Sequence, residues 1–403
     1  AELPLYILEA LRTCNALTNT FRNRATFPTT MATIFYDLAA VLTPTIRTPV
    51  LTSYSLITDL QYALLEPATP SVWTGTDQFT LAQLNAAIER RRNLFLRETG
   101  IVLSTATQAI GAPAASGRVT LDETTIAIRR APWTPHATLV AGTLHREDEW
   151  GANHYSRAWT TAATPLAYTV GAVPPLTLQL IPPAAAAGTL DLVQITRGAA
   201  LVAGVDSALG IPDDWVWVLK WGALADLLAG DGLAADPARA AYCEARWRQG
   251  IDAATAATVV LAAQIDGVPC QIATLNEADK YSPYWSAVAG IPLSLLVAGH
   301  TLVALVPAAG AILAGGGWTI TLDVVCNAPV PAAGGDPLNI GPELLDRILD
   351  YAEHLALVKE GAIQVQYSQP LLDRFMATCG VTLNLQQAEQ PNRAGMNRQT
   401  SRD

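Results

Sequence analysis

The chain has 403 residues, half of them hydrophobic and 15% charged, with a formal net charge of −10. That composition excludes a disordered chain and supplies apolar surface for two or more cores. The acidic balance argues against a nucleic-acid coat. No apolar run is long enough for a transmembrane helix, since the nearest stretch, Val288 to Gly317, is broken by Pro292, His300 and Pro307.

In chain order, Ala1 to Pro4 lacks the basic and apolar regions of a signal peptide. Leu5, Leu8, Leu11 and Leu17 predict a helix over Leu3 to Leu17. The Thr-rich stretch Thr18 to Thr52 gives mixed signals, and Ile57 to Leu65 reads as helix again. The clearest helix covers residues 80–99. Thr80 and Gln83 form a capping box, Leu81, Leu84, Ile88, Leu94 and Phe95 keep near-helical spacing, and Gly100 supplies a left-handed stop. Arg90, Arg91, Arg92 and Arg97 mark its polar side, read either as a solvated face or as a contact to an acidic neighbouring subunit.

From Gly117 to about Arg197 the period changes to two. Val119, Leu121, Ile126 and Ile128, then Leu176, Leu178 and Leu180, then Leu190, Leu192 and Ile195 alternate with polar residues, while Pro and Gly separate the runs. This predicts an antiparallel β-domain of the sandwich or barrel kind. Pro212-Asp213-Asp214 opens a helix to about Leu228, and Asp236-Pro237 opens another to about Ala253.

After residue 255 the order restarts. Tyr155-Ser156 followed by Trp159 recurs as Tyr281-Ser282 followed by Trp285. Leu180-Ile181-Pro182 recurs as Leu305-Val306-Pro307, and Leu190-Asp191-Leu192 as Leu322-Asp323-Val324. Helices from Pro342 to about Lys359 and from Pro370 to Cys379 close the second copy. Ordered matches followed by a helix pair point to duplication. The expected fold class is α+β: helical-bundle elements with two repeated antiparallel, sandwich-like β-domains, each followed by a helix pair. The expected division is an N-terminal region 1–116, a first β-domain with helix pair 117–254, a second 255–383, and a flexible polar tail 384–403.

Chemistry is sparsely signalled. There is no phosphate-binding loop, no GxGxxG after a strand and no HExxH, and Gly204 to Gly210 lacks nucleophile-elbow spacing. The cluster His145-Arg146-Glu147-Asp148-Glu149 with His154 fits no metal-ligand spacing and reads as a charged strand edge. Cys14, Cys243, Cys270, Cys326 and Cys379 have no CxxC spacing and read as isolated buried thiols. Tyr155, Trp159, Tyr281 and Trp285 read as core and corner residues, with a sugar-binding aromatic platform as the alternative. A carboxylate-pair hydrolase, for example through Glu149 and Asp279, is a third reading that no residue selects.

The stretch Leu190 to Gly250 resembles the head-to-tail adaptor (connector or neck) proteins of tailed bacteriophages. The residues that carry the likeness are Leu190-Asp191-Leu192, Ile211-Pro212-Asp213-Asp214, Lys220-Trp221-Gly222-Ala223-Leu224-Ala225-Asp226-Leu227-Leu228, Asp236-Pro237-Ala238-Arg239-Ala240-Ala241-Tyr242 and Arg246-Trp247. The helix Thr80 to Gly100 resembles the one preceding the strands in that family. The resemblance implies a non-enzymatic virion protein with no catalytic residue, cofactor or metal. It implies a homo-oligomeric ring, often of twelve subunits, assembled in the host cytoplasm and seated between portal and tail proteins, with no membrane and no sequence-specific nucleic acid as partner. It further implies that the tail, with Arg393 and Arg398, docks into a portal. The chain is about twice the expected length because of its second copy; another tail or baseplate component is the alternative.

Overall fold

A capping box and a left-handed glycine set one helix firmly, and the rest of the fold can be counted from there. The computed structural model describes residues 3–30, 33–42, 50–65, 78–111, 117–135, 142–148, 151, 160–171, 176–231, 234–282, 284–287, 289–309, 317–330, 338 and 340–389. Helix α1 is Leu3–Thr18, followed by β1 (Arg22–Pro28), β2 (Phe35–Asp37), the single turn α2 (Leu38–Val41) and α3 (Ser53–Ala63). Helix α4 is Leu81–Thr99. Its Thr80 Oγ1 accepts from Gln83 N at 3.2 Å, Gln83 Oε1 accepts from Thr80 N at 2.8 Å, and Gly100 ends it at φ 61°.

Nine strands follow: β3 (Ser104–Ile110), β4 (Arg118–Thr120), β5 (Thr125–Arg130), β6 (Pro132–Pro135), β7 (Gly142–Thr143), β8 (His145–Arg146), β9 (Ala167–Val170), β10 (Thr177–Ile181) and β11 (Gly188–Thr196). A 3-10 turn, Asp213–Trp215, leads into α5 (Val216–Leu228) and then α6 (Pro237–Ala256). The chain continues through β12 (Val260–Ile265), β13 (Val268–Pro269), β14 (Gln271–Thr274), α7 (Leu275–Tyr281), β15 (Ala289–Gly290), β16 (Ser294–Ala298), β17 (Leu302–Val306), β18 (Ala308–Ala309) and β19 (Thr319–Val325). Helices α8 (Pro342–Val358) and α9 (Ala362–Glu389) end the described chain. Among the described residues no helix is long and apolar enough to cross a membrane.

These elements form an α+β fold in which the same unit occurs twice. In the first, one sheet runs β3-β11-β6-β7 with β5 also on β11, and the facing sheet runs β4-β10-β9-β8. In the second, the sheets run β1-β19-β12-β13 and β2-β17-β16-β14. Pairing agrees strand for strand. The opening strand lies antiparallel to the closing one, with Thr107 opposite Asp191 and Arg24 opposite Asp323. Each facing sheet holds one parallel pair at the same place, β8 with β9 and β14 with β16. The peptides before Pro182 and Pro307 are both cis. Each unit opens with one helix and closes with two that pack on it, α4 with α5-α6 in one and α1 with α8-α9 in the other.

The two units are nested. The outer unit begins with α1, β1 and β2; the chain leaves it, builds the whole inner unit from α4 to α6, and returns at β12. The expected boundary at 117 is therefore corrected, and the second unit is not confined to 255–383. Strand β3 belongs to the inner β-domain, and β1 and β2 belong to the outer one, far from their partners in sequence. The expected last helix from Pro370 begins earlier, at Ala362, with Pro370 inside it.

Sequence pattern decides which sheet faces are covered. In β10 (TLQLI), Leu178 and Leu180 enter the inner sandwich core while the half-buried Thr177 and Gln179 alternate with them on the other face. Strand β17 is LVALV and all five residues are buried. Val303 and Leu305 fill the outer sandwich, while Leu302, Ala304 and Val306 press on the helices. Helix α5 is apolar nearly all round because α1, α3, α4 and α6 surround it. It meets α6 closely at two glycines: a Cβ on Gly222 would lie 2.5 Å from Trp247 Cε3, and one on Gly250 2.6 Å from Val218 Cγ2. Gly250→Ala is expected to destabilise the fold by about 1–3 kcal/mol through overpacking. Gly111→Ala, where nothing lies within 4 Å, is expected to stay within about 0.5 kcal/mol; urea unfolding of both variants measures the contrast.

Candidate functional site: the joint between the two units

The largest concentration of buried polar chemistry lies where the outer unit's α1 and α8 meet the inner unit's α5 and α6. Lys220 stands in the middle of α5, whose other charged residue is Asp226, and is buried. Its Nζ donates to Glu9 Oε2 of α1. Asp59 of α3 lines the same small cavity with Glu9 and Arg12. Burial pushes the Asp59 carboxyl up to about 6 against the pull of Lys220, and Lys220 keeps its proton firmly because the attraction of Glu9 and Asp59 outweighs its burial.

At the start of α5, two carboxylates hold loops together. Asp213 accepts from the amides of Val50 and Leu51, each at 3.0 Å. Asp214 accepts from Asn15 Nδ2 at 2.6 Å and from Ala328 N at 3.2 Å, while Asn15 Nδ2 also donates to the Cys326 carbonyl at 2.7 Å. One carboxylate thus ties α1, α5 and the strand leading to α8. The sequence reading of these aspartates as the opening of a helix finds only part of their role.

On α6, Arg246 donates to Tyr351 Oη at 2.7 Å and lies over the Trp217 and Tyr351 rings. Tyr242 Oη meets His354 Nε2 at 2.5 Å, and His354 Nδ1 lies 2.9 Å from Ser368 Oγ. Burial, helped by the Arg246 charge, lowers His354 to about 4, so it is neutral at physiological pH. A further contact joins the β-domains. Arg130 Nε of β5 donates to Asp279 of α7 at 2.9 Å and its guanidinium stacks over Trp285, whose Nε1 donates to the same Asp279 at 2.9 Å.

The sequence-predicted residues fall in several places. Arg90 keeps 66% of its side chain exposed while reaching Asp226 at 2.7 Å. Arg91 and Arg92 correct the reading of a solvated run. Arg91 is clamped between Asp226 at 2.6 Å and Glu244 at 2.8 Å, and Arg92 is buried with Nη2 on the Ala199 carbonyl at 2.8 Å. Their partners come from elements more than a hundred residues away, which helix periodicity cannot supply. Trp285 is 1% exposed, a core residue with no face for a sugar, whereas Tyr281 is 76% exposed. Tyr155, Trp159, Glu149, His154, Arg393 and Arg398 lie outside the described residues. His145 and Arg146 sit on the edge strand β8, and Asp279 is held by Arg130 and Trp285.

Lys220, Asp214, Arg130 and Tyr351 were missed as joint residues. The available signal was Lys220, the one lysine in the mostly apolar stretch Val216–Leu228, since such a charge is buried only with a partner. Among the described residues no group of three or more His, Cys, Asp and Glu is placed to hold a metal ion. Lys220, Asp214 and Arg246 each bond a group of the other unit, so what the arrangement does chemically is tie two copies of one fold together. No protein-family model matches the chain, and no curated protein matches its sequence.

Proposed function

We propose that the protein is a structural component of a tailed-phage virion, a neck or adaptor subunit that joins portal to tail as a homo-oligomeric ring and works by packing and not by turnover. The observation that carries this reading is the duplicated unit of one helix, a β-domain and a helix pair. The motif residues behind the resemblance have a shared packing role within it: Gly222 and Trp247 meet where α5 crosses α6, and Asp236 caps α6 through Arg239 N at 3.0 Å. Portal and tail proteins are the proposed neighbours, and the virion, assembled in the host cytoplasm, is the proposed location. No cofactor is part of the proposal.

Mass spectrometry of purified particles, with imaging of particles labelled on this protein, provides the test. The expected result is the protein in stoichiometric amount at the head–tail junction. Its absence from particles overturns the reading, and a position at the distal tail end would favour a tail or baseplate component instead.

A further inference from the structure

The joint inside one chain is heterologous. The inner unit offers the α5/α6 face (Lys220, Tyr242, Arg246, Gln249), and the outer unit fills it with a different face, α1/α8 (Glu9, Tyr351, His354). Two copies of one fold joined in this way leave one unfilled face and one unused face. Such an arrangement repeats head to tail between chains unless something blocks it.

The units can be set in register to find those faces. Thr18 and Thr99 each return a hydroxyl to the carbonyl of the preceding turn, Cys14 and Phe95, both at 2.7 Å, and the next residues, Asn19 and Gly100, have φ of 53° and 61°. In this register Arg90 of α4 stands where Glu9 stands in α1, and Arg97 where Ala16 stands. Helices α5 and α8 end at Leu228 and Val358, which places Asp350 at the position of Lys220. The pairs Arg246-Trp247 and Arg374-Phe375 align α6 with α9, each aromatic packing on the helix before it.

Two consequences follow. On the outer unit, the residues matching Tyr242, Arg246 and Gln249 are Pro370, Arg374 and Ala377, and all three are exposed. On the inner unit, Arg90 and Arg97 are exposed where Glu9 and Ala16 are buried. The charges are also exchanged: the internal pair is acid on the first helix and base on the second, whereas the matching positions carry base on the first (Arg90, paired within the chain to Asp226) and acid on the second (Asp350, paired within the chain to Arg347 and Arg374). Exposed Asp346 and Glu353 flank Asp350, and exposed Arg97 extends Arg90. The exposed bases Arg90 and Arg97 on the first helix and the exposed acids Asp346 and Glu353 on the second are complementary, and this is what selects a second copy as the occupant.

We infer that chains associate head to tail, the basic α4 stripe of one copy seating on the α8/α9 face of the next. Trp221 and Leu224, at the positions of Tyr351 and His354, are buried, so the contact between chains is shallower than the internal joint and depends on concentration and salt. This inference deepens the proposed assembly role by naming its self-contact, and it is tested on purified protein without particles.

Sedimentation velocity on the full chain at low salt decides it. Wild type is expected to form oligomers, and Arg90→Glu and Asp350→Arg alone are each expected to weaken association at least about tenfold. A mixture of the two single variants, or the double variant, is expected to recover it, because every contact then pairs opposite charges. Arg97→Glu and Glu353→Arg, on exposed positions, repeat the test without breaking the Arg90–Asp226 and Asp350–Arg374 pairs that the first variants remove. A wild type that stays monomeric, or single variants that assemble like wild type, overturns the inference. Oligomers that obey the charge swap while particles lack the protein would retire the virion reading and leave this contact standing.

Discussion

Replacing Lys220 by alanine is expected to destabilise the protein by about 3–5 kcal/mol at neutral pH. Glu9 and Asp59 would then face each other across a small cavity without the buried ammonium, with Arg12 the remaining cation on its wall. Desolvation already penalises their charged forms, and mutual repulsion adds to it. The cost of the original pair is also large, because two ions leave water to form it. Replacing both partners, Lys220→Met with Glu9→Leu, is therefore expected to leave stability within about 1 kcal/mol of wild type or above it. Urea midpoints at constant slope measure the set. A single substitution costing less than about 1 kcal/mol would sink the argument, since the pair would then be solvated.

The second large effect is a pH dependence hidden by cancellation. Asp59 is raised from 3.8 to about 6, first by burial. Its neutral form suits the fold, so its contribution is full below pH 3.8 and is lost as pH rises through 6. His354 is lowered from 6.5 to about 4, again first by burial and then by Arg246. Its contribution is full above pH 6.5 and is lost as pH falls through 4. Each shift corresponds to about 3 kcal/mol, and the two slopes oppose each other over the same window.

Relative to wild type, Asp59→Asn is expected to gain stability as pH rises from 4 to 6.5, because only the histidine dependence remains. His354→Gln is expected to lose stability over that range. Urea unfolding at several pH values checks both, and parallel curves for all three proteins would refute the assignment. The comparison is of slopes, so the lower overall stability of either variant does not affect it.

Legibility in the sequence followed the range of the interactions. The Thr80–Gln83 box and Gly100 act within one turn, and α4 follows from them. The alternation at Leu176, Leu178 and Leu180 against the unbroken Leu302–Val306 run encodes one sheet with a free face and one buried on both sides. The Leu190-Asp191-Leu192 and Leu322-Asp323-Val324 match is also sound, because Asp191 and Asp323 occupy the same register, bonded to Thr107 at 3.0 Å and Arg24 at 2.7 Å.

Other elements depend on distant partners. Strand β1, RNRATFP, has one buried residue and no alternation of its own; its place comes from β19, with Arg22 opposite Val325. The nesting was therefore invisible to a search for consecutive repeats. Helix α7 was overlooked although Thr274 and Glu277 form a capping box as complete as that of α4. Arg91 and Arg92 misled because an arginine run has the same spacing whether its partners are water or buried acceptors.

The nesting also orders events during synthesis. Everything the inner unit needs, from α4 to α6, has emerged from the ribosome before β12 is made. By contrast α1, β1 and β2 leave first and pair last, because β19 and α8 lie about three hundred residues downstream. The inner unit can fold as a finished body while the opening segments still lack partners. Their closing partners then arrive together, and a chain stopped before β19 would hold one complete copy of the fold beside the unpaired beginning of another.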